Sequence, residues 1–256
     1  MDSNPMAKEI ATLINQMRRD PKGFAAHVKK RLDSYDGVNF TDNSGTKYRS
    51  MEGKDACNEA LVSVESSQPL AELLLVDGLN RCAQDHCDDL SRTGETGHTG
   101  SDGSNMGKRI DRYGSWSGKV GECIAVQSSS ALDFVLQWLI DDGVKSRGDR
   151  KTLFSKDFTK FGIGYSPAHK TYKTSAVVVF AGVFGEAGTQ EAPVPVQNDK
   201  LMDEMPEELK KMPDGAKGMS VTRKTLIEGD KKKVIYTVKY DMEDGSQKEV
   251  VKEYNQ

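Results

Sequence analysis

The chain lacks any apolar run that approaches the ~20 residues needed for a membrane-spanning helix. Its first residues, Met1 to Pro5, do not form a basic segment followed by an apolar one, so no secretory signal is visible. From these two absences we expect an intracellular, cytoplasmic protein for which contact with a membrane or lipid is not the main activity.

Cysteine is scarce, with four residues in a chain of 256, and no Cys-x-x-Cys motif is present. Cys82 and Cys87 are five residues apart in a stretch with helical periodicity, which is a poor spacing for two side chains to share one helix face. We therefore expect reduced structural thiols rather than a disulfide framework.

An excess of charge of one sign is also missing. The chain has 36 Lys and Arg residues against 39 Asp and Glu residues, a formal net charge of −3. This balance argues against a nucleic acid as the main partner, since a phosphate backbone is recognised by a basic surface. No glycine-rich phosphate loop with a following lysine and serine is present either.

Hydrophobic periodicity predicts interleaved helices and strands over residues 7–184. The last strand contains the apolar run Ala176-Val177-Val178-Val179-Phe180, which is typical of a central strand buried on both faces. This interleaving predicts an α/β sandwich. The predicted helices span 7–19, 22–32, 69–90, 105–113 and 131–142, and the predicted strands span 119–127, 161–165 and 175–184.

Residues 33–68 are polar and contain three spaced glycines, Gly37, Gly45 and Gly53. This composition predicts a long surface loop with a short helix around 56–62. A loop of this length is either functional or mobile, and the sequence leaves that choice open.

The C-terminal quarter has a different pattern. Residues 187–200 include Ala192-Pro193-Val194-Pro195-Val196, which predicts an extended linker because proline cannot continue a helix. Residues 201–256 predict a small module: a helix at 202–212, then a three-stranded antiparallel β-meander at 219–227, 233–242 and 247–254. Such a meander has little core and unpaired edges, so it either extends the main domain or docks a partner. In its second strand one face carries Val234, Tyr236, Val238 and Tyr240.

The chemistry-bearing residues of the main domain fall between residues 97 and 150. A glycine-punctuated loop carries His98, a short apolar strand carries Glu122, a helix end carries Asp141, and the following turn carries Asp149. Each residue type is common in any protein, and only their order and spacing carry information.

Other motifs accompany these residues in a fixed order. They are Asn15 and Arg18 in the first helix, Arg109-Ile110 leading to Tyr113-Gly114, Gly121-Glu122-Cys123-Ile124-Ala125, Trp138, the run from Ser146 to Leu153, Phe161-Gly162-Ile163-Gly164, and Phe180-Ala181-Gly182. The ordered set resembles the CAP or SCP superfamily, which joins cysteine-rich secretory proteins, antigen 5 and the plant pathogenesis-related 1 proteins. The resemblance implies a CAP/SCP-like domain over residues 1–186 with a three-layer α-β-α sandwich fold.

The resemblance also implies a cleft. In that family two histidines and two acidic residues line a large cleft, and in some members the histidines hold a divalent metal. Carried over, the first histidine is His98, the first acid is Glu122, and the second acid matches Asp141. The second histidine falls on Asp149, so this chain departs from the family and the cleft is expected to be altered.

Two interpretations of the role of Asp149 remain open. With His98 it would form a weak divalent-metal site suited to oxygen-preferring ions, and we expect no other cofactor. Alternatively, Asp149 pairs with Arg147, Arg150 or protonated His98.

Catalysis by this cleft would need a nucleophile as well as a general acid or base. His98 beside Glu122 could act as the general acid or base, but the sequence singles out no nucleophile. Ser101 and Ser104 lie in the His98 loop, and Cys123 alternates with Glu122 along its strand. If Glu122 faces the cleft, Cys123 faces the core.

We therefore expect a non-enzymatic CAP-domain binding or scaffold subunit that docks a protein partner partly through its C-terminal module. The alternatives are a metal-dependent hydrolase-like enzyme and a lipid or sterol binder, each using the His98/Glu122 cleft, although no basic amphipathic helix supports membrane contact. A cytoskeletal or ciliary assembly is compatible with these features. Secretion, common in the family, is the alternative location, and the partner and oligomeric state are left open.

Overall fold

The computed structural model describes residues 4–186, 205–228, 231–242 and 246–255. The chain forms two compact units, an N-terminal unit (Met1–Ala187) and a C-terminal unit (Gly188–Gln256). The predicted linker over residues 187–200 lies outside the described residues, so the predicted domain limits stay a prediction. Among the described residues, no helix is both long and apolar enough to cross a membrane.

Helices and strands alternate through most of the N-terminal unit. In chain order they are α1 (Pro5–Arg19), α2 (Pro21–Asp33), β1 (Tyr35–Asp36), β2 (Asn39–Thr41), β3 (Lys47–Arg49), α3 (Lys54–Ser66), β4 (Leu74–Leu75), α4 (Asp77–Thr93), α5 (Met106–Ile110), β5 (Gly114–Val126), α6 (Ala131–Ile140), α7 (Gly148–Leu153), β6 (Lys160–His169) and β7 (Lys173–Glu186).

The boundary between α1 and α2 follows from local sequence. The Asp20 side chain accepts a hydrogen bond from the backbone N–H of Gly23 and so caps α2, while Pro21 occupies the first helical position. The apolar stripe of α1, including Ile10, Ile14 and Met17, is fully buried. The predicted break at Asp20 and Pro21 is confirmed.

The central sheet has the strand order β4-β6-β7-β5, so β7 lies between two long neighbours. Its residues alternate between the two cores: Val178 and Phe180 pack with α1, α2, α3 and α6, whereas Val177 and Val179 pack with α4 and α5. Helices therefore cover both faces, and the predicted α-β-α sandwich with a central, doubly buried strand is confirmed.

The long strands extend beyond their predicted limits. Strand β5 begins at Gly114 rather than residue 119, and pairs with β7 from Gly114 opposite Glu186 onward. Its first residues include Ser115, Ser117 and Lys119, so the segment lacks the apolar alternation that marks a strand in sequence.

The predicted helix over 69–90 begins too early. Leu74 and Leu75 instead form β4, parallel to β6, and α4 starts at Asp77. The backbone N–H of Val76 donates to the carbonyl of Phe161, so this segment is held by the sheet instead of continuing a helix.

Helix α4 lies very close to β6 because two glycines face it. A Cβ atom at Gly162 would lie 2.0 Å from the carbonyl carbon of Leu79, and one at Gly164 would lie 2.5 Å from that of Ala83. The Phe161-Gly162-Ile163-Gly164 motif thus brings the helix that precedes the His98 loop against the sheet.

The prediction of a long loop over residues 33–68 is wrong. The segment contains the antiparallel sheet β1-β2-β3 and the thirteen-residue helix α3, which is about twice as long as the predicted helix at 56–62. Three aromatic rings hold the small sheet together, with centroids 5.2 Å apart for Tyr35 and Phe40 and 5.5 Å apart for Phe40 and Tyr48. The buried positions of α3 are mostly small residues, which gave it a weak amphipathic pattern.

The C-terminal unit contains α8 (Glu207–Lys210) and the strands β8 (Ala216–Glu228), β9 (Lys231–Met242) and β10 (Gln247–Asn255), ordered β10-β9-β8 and all antiparallel. The predicted meander is confirmed.

Met205 and Leu209 pack on the predicted β9 face, formed by Val234, Tyr236, Val238 and Tyr240. The helix is shorter than predicted because Pro206 lies at its N-cap and Pro213 follows it. Residues 202–204 of the predicted helix, and residues 229–230 and 243–245 between the strands, lie outside the described residues.

All four cysteines, Cys57, Cys82, Cys87 and Cys123, are buried and free. The prediction of structural thiols without a Cys82–Cys87 disulfide is therefore confirmed.

Candidate functional site

A buried carboxylate lies at the centre of the candidate site. Glu122 on β5 has a side chain only 2% exposed, and both of its oxygens are bound. Oε1 lies 2.9 Å from Nδ1 of His98, and Oε2 accepts a 2.7 Å hydrogen bond from Nη2 of Arg109 on α5. The predicted pairing of His98 and Glu122 is present, and Arg109 completes a cluster of three charged or titratable groups.

The loop that carries His98 is fixed by polar contacts to its backbone. Arg109 donates to the carbonyls of His98 and Ser104, so one guanidinium holds the loop and Glu122 together. Gly100 and Ser104 close the loop through a 2.8 Å backbone hydrogen bond. His98 itself is 65% exposed at the side chain, so its ring faces solvent above the buried carboxylate.

His86 on α4 lies beneath the same carboxylate. Its Nε2 contacts the carbonyl of Gly97 at 2.8 Å and lies 3.8 Å from Oε1 of Glu122. Burial lowers the pKa of His86, so it remains neutral beside Glu122. The residue is buried on the apolar side of α4 and supports the Gly97–His98 backbone, a contact that was not predicted.

The pKa values of His98 and Glu122 move in opposite directions. The hydrogen bond to Glu122 raises the pKa of His98 above its ordinary value. Burial alone would raise the pKa of Glu122, but the hydrogen bond from His98 and the charge of Arg109 hold it below its ordinary value. Glu122 is therefore ionised near neutral pH, and His98 is protonated more readily than a free histidine.

Two aspartates face His98 across the cleft. The backbone N–H of Asp149 donates to Oδ2 of Asp141 at 2.9 Å, and Asp141 adopts a left-handed conformation (φ 54°) at the end of α6. Burial, followed by repulsion from Asp141, raises the pKa of Asp149 to about 7. A cavity of about 530 Å³ is lined by His98, Asp141 and Asp149 among others, so the structure brings these predicted site residues together.

The alternative pairing of Asp149 with Arg147 or Arg150 is wrong. Arg147 binds Glu52 and Glu59, with nitrogen–oxygen distances of 2.6 and 2.7 Å. Arg150 donates to the backbone carbonyls of Leu139, Ile140 and Ala56. Both guanidiniums thus bind groups in or just before α3 and at the end of α6, and neither forms an ion pair with Asp149.

The candidate nucleophiles have other partners. The hydroxyl of Ser101 donates to Asp89 at 2.5 Å, and Ser104 hydrogen-bonds to Asp102. Cys123 is fully buried in the core beneath β5, as predicted from its alternation with Glu122, and burial raises its pKa well above the ordinary value. In the described part of the chain, none of these three residues hydrogen-bonds to His98.

With this geometry established, comparison with known proteins identifies the family. The sequence model of CAP, the cysteine-rich secretory protein family, matches residues 12–184. The chain belongs to the CAP family. The predicted resemblance is therefore confirmed, and the match covers the N-terminal unit from within α1 to the end of β7.

Two solved structures are similar to part of this chain. An extracellular protein containing an SCP domain from Bacillus anthracis is 24% identical with a TM-score of 0.36, covering 44% of this chain and 34% of that protein. An outer surface protein from Borrelia burgdorferi is 23% identical with a TM-score of 0.37, covering 44% of this chain and 78% of that protein. No curated protein matches the sequence. The cytoplasmic location stays a prediction.

The donor set offers few protein ligands for a divalent metal. Glu122 engages Nδ1 of His98, which leaves Nε2 as the ring nitrogen able to ligate a metal, and the second oxygen of Glu122 is engaged by Arg109. Within the described ranges, no group of three or more His, Cys, Asp or Glu residues is placed to hold a metal ion. The weak metal site predicted at His98 and Asp149 stays a prediction with two ligands, fewer than the four of a typical zinc site.

Proposed function

We propose that this CAP-family chain is a non-enzymatic binding or scaffold protein with an altered cleft, which docks a protein partner partly through its C-terminal unit. The observation that carries the proposal is the bonding of the buried Glu122 carboxylate. Both carboxylate oxygens are bound by His98 and Arg109, and the side chain is only 2% exposed, so this acid stabilises the loop and is shielded from a metal ion or water in the cleft. The presence of Asp149 at the second histidine position of the family supports the same conclusion.

The C-terminal unit supports the docking part of the proposal. Among the described residues, β8 and β10 each pair only with β9, so both outer edges of the sheet carry unpaired backbone groups. An extended peptide from a partner can pair with such an edge, and neighbouring side chains then select the partner. Val251 on β10 is an exposed apolar residue on that edge strand.

A charge introduced on β10 tests the docking. Val251→Lys is compared with Val62→Lys, which places the same charge at an exposed valine on α3 of the other unit. Partners are captured with the full-length chain and crosslinked through Lys248 and Lys252, which are exposed on β10. We expect a partner that crosslinks to β10 to be lost with Val251→Lys and retained with Val62→Lys. Equal capture by both variants would contradict docking through β10.

Acid–base catalysis is the second candidate function, because one observation favours it. The pKa of Asp149 is about 7, and that of His98 is raised by its hydrogen bond to Glu122, so two titratable groups with shifted pKa values lie within one cleft. Hydrolysis of ester and peptide substrates is measured for the unmodified chain and for Asp149→Asn and His98→Gln. Activity lost in both variants would support this enzyme and count against the non-enzymatic proposal, whereas no activity in the unmodified chain would support the binding function.

A further inference from the structure

A second cavity, of about 380 Å³, lies beside the His98 cleft within the N-terminal unit. This volume falls in the roughly 300–1,000 Å³ range of small-molecule sites. The β1-β2-β3 sheet provides one side of the cavity, and β5 and α6 provide the other. Residues that represent these sides are Phe40 and Tyr48 from the sheet, Ile124 and Val126 from β5, and Gln137 and Trp138 from α6.

The mouth of this cavity is apolar. Met51 and Val144 line it and are exposed, at 82% and 46% respectively. Together with the stacked rings of the small sheet, these side chains offer contact to an apolar molecular body.

The cavity also carries more acidic than basic side chains. Five aspartates and two arginines line it, and Arg31 is paired with Asp133. In the described part of the chain, the other four aspartates form no ion pair with Lys or Arg. Concave sites lined by one sign of charge concentrate the field and attract the opposite charge. The lining residues without an ion pair are Asp42, Asp141, Asp142 and Asp149, of which Asp149, with a pKa of about 7, is only partly ionised near neutral pH.

The carboxylates are held by neutral donors, so a cation would be an additional partner for them. Asp42 accepts from the backbone N–H groups of Ser44 and Thr46, both at 2.8 Å. Asp142 accepts from those of Met51 and Glu52. Since no group of three or more acids, histidines or cysteines in the described chain can hold a metal ion, these carboxylates surround a volume instead of meeting at a point. This arrangement suits an organic cation better than a metal ion.

Trp138 supplies an independent indication of a ligand. Its side chain lines the cavity, yet the residue is only 1% exposed, and its indole N–H has no hydrogen-bond partner among the described residues. Buried donors without a partner are rare in folded proteins, so this N–H is expected to meet an acceptor on a bound molecule.

We propose that this cavity binds a small organic cation, with an ammonium group that faces the aspartates and an aromatic or branched apolar body that lies against the β1-β2-β3 sheet. An oxygen on the ligand accepts the hydrogen bond from Trp138. The site is formed by residues of the N-terminal unit and the proposed partner-docking edge by residues of the C-terminal unit, so either proposal can fail without the other.

Three probes with one apolar body and different charges test the site. Phenethylamine, 2-phenylethanol and 3-phenylpropionate are titrated into the full-length chain by calorimetry. We expect phenethylamine to bind, 2-phenylethanol to bind at least ~10-fold more weakly, and 3-phenylpropionate to give no binding. 2-Amino-1-phenylethanol, which adds an oxygen acceptor, is expected to bind a few-fold more tightly than phenethylamine. Equal affinity for the amine and the alcohol, or no binding of any probe, would overturn the proposal.

Two exposed lining positions give variants that leave the core intact. Val144→Arg places a cation at the mouth and is expected to weaken phenethylamine binding about tenfold more than Val144→Gln, a control without the charge. Arg49→Gln removes an exposed lining cation and is expected to tighten binding about threefold. Lys22→Gln makes the same charge change at the far end of α2 and is expected to have no effect. The reverse order of affinities would overturn the assignment.

Discussion

At the scale of single residues, Glu122 shows how the protein manages a charge in its interior. Removing a carboxylate from water is costly unless its oxygens are paired, and here Arg109 and His98 pair both of them. Because Arg109 also holds the His98 loop, loss of this one guanidinium would leave a buried charge unpaired and release the loop.

Arg109→Met tests this pairing. We expect it to lower the free energy of unfolding by about 3–5 kcal/mol, since it leaves Glu122 buried without its cation. The matched control is Arg19→Met, which removes the partner of Glu72 in an exposed ion pair and is expected to cost at most about 1 kcal/mol. Urea denaturation measures both, and equal losses would show that Glu122 does not depend on Arg109.

The pKa shift of His98 gives a pH dependence. Its pKa is higher in the folded chain because Glu122 accepts its hydrogen bond. The resulting stabilisation is fully present below the unfolded value of about 6.5 and is lost as the pH rises through the folded pKa. We expect His98→Gln to be more destabilising at about pH 5.5 than at about pH 8.5, where Glu122 is ionised throughout.

The measurement is thermal or urea denaturation at the two pH values, with His27→Gln as the control for loss of an imidazole. His27 packs against the ring of Phe24 on α2. A His98→Gln effect that does not change with pH, or grows toward alkaline pH, would contradict the assigned contact.

His98, Glu122, Asp141 and Asp149 could be predicted as site residues, because their order and spacing match positions of the family pattern, even where Asp149 departs from it. The contacts of Glu122 with Arg109 and His86 could not be predicted, since these residues come from α5 and α4 and approach it only in the folded chain. Arg109 belongs to the Arg109-Ile110 motif, so the sequence drew attention to the residue. Its ion pair with Glu122 is a tertiary contact that the motif does not reveal.

At the scale of elements, a helix or strand could be predicted when its apolar residues form a strong periodic pattern. Strand β7 was predicted as central because its residues are large, β-branched and buried on both faces. Helix α3 was underestimated because Ala56, Cys57 and Ala60 bury small side chains. The strands β1, β2 and β3 are two or three residues long, too short to show a period of two.

The contact between α4 and β6 gives a prediction for the glycine motif. Gly162→Ala would place a Cβ atom 2.0 Å from the Leu79 backbone, so helix and sheet must separate. We expect a loss of about 3 kcal/mol or more, at or above the upper end of overpacking costs. In the control, Gly148→Ala, the nearest atom to the new Cβ lies 3.7 Å away, an ordinary contact. Similar stability of both variants in urea denaturation would contradict the close packing.

At the scale of the whole molecule, the chain combines a CAP-family unit with a small unit that has its own core. The family fold was predictable because its motifs span most of the N-terminal unit. The C-terminal meander was predictable from alternation within β9.

Substitution in the small core tests whether the two units unfold separately. Val238→Ala removes two methyl groups from a fully buried position, and we expect the C-terminal unit to lose about 2–3 kcal/mol. Both tryptophans, Trp116 and Trp138, lie in the N-terminal unit, so their fluorescence transition is expected to stay unchanged while circular dichroism detects the loss. Val251→Ala, at an exposed site, is the control. A matching shift in tryptophan fluorescence would mean that the units unfold together.

Zinc titration of the purified full-length chain tests the proposed altered cleft most directly. With Asp149 in place of a second histidine, we expect weak or substoichiometric zinc binding by calorimetry. Asp149→His, which restores two imidazoles to the cleft, is expected to bind zinc at least about tenfold more tightly, and the further change His98→Ala is expected to remove that gain. Tight binding of one zinc ion by the unmodified chain, lost on His98→Ala, would contradict the altered cleft.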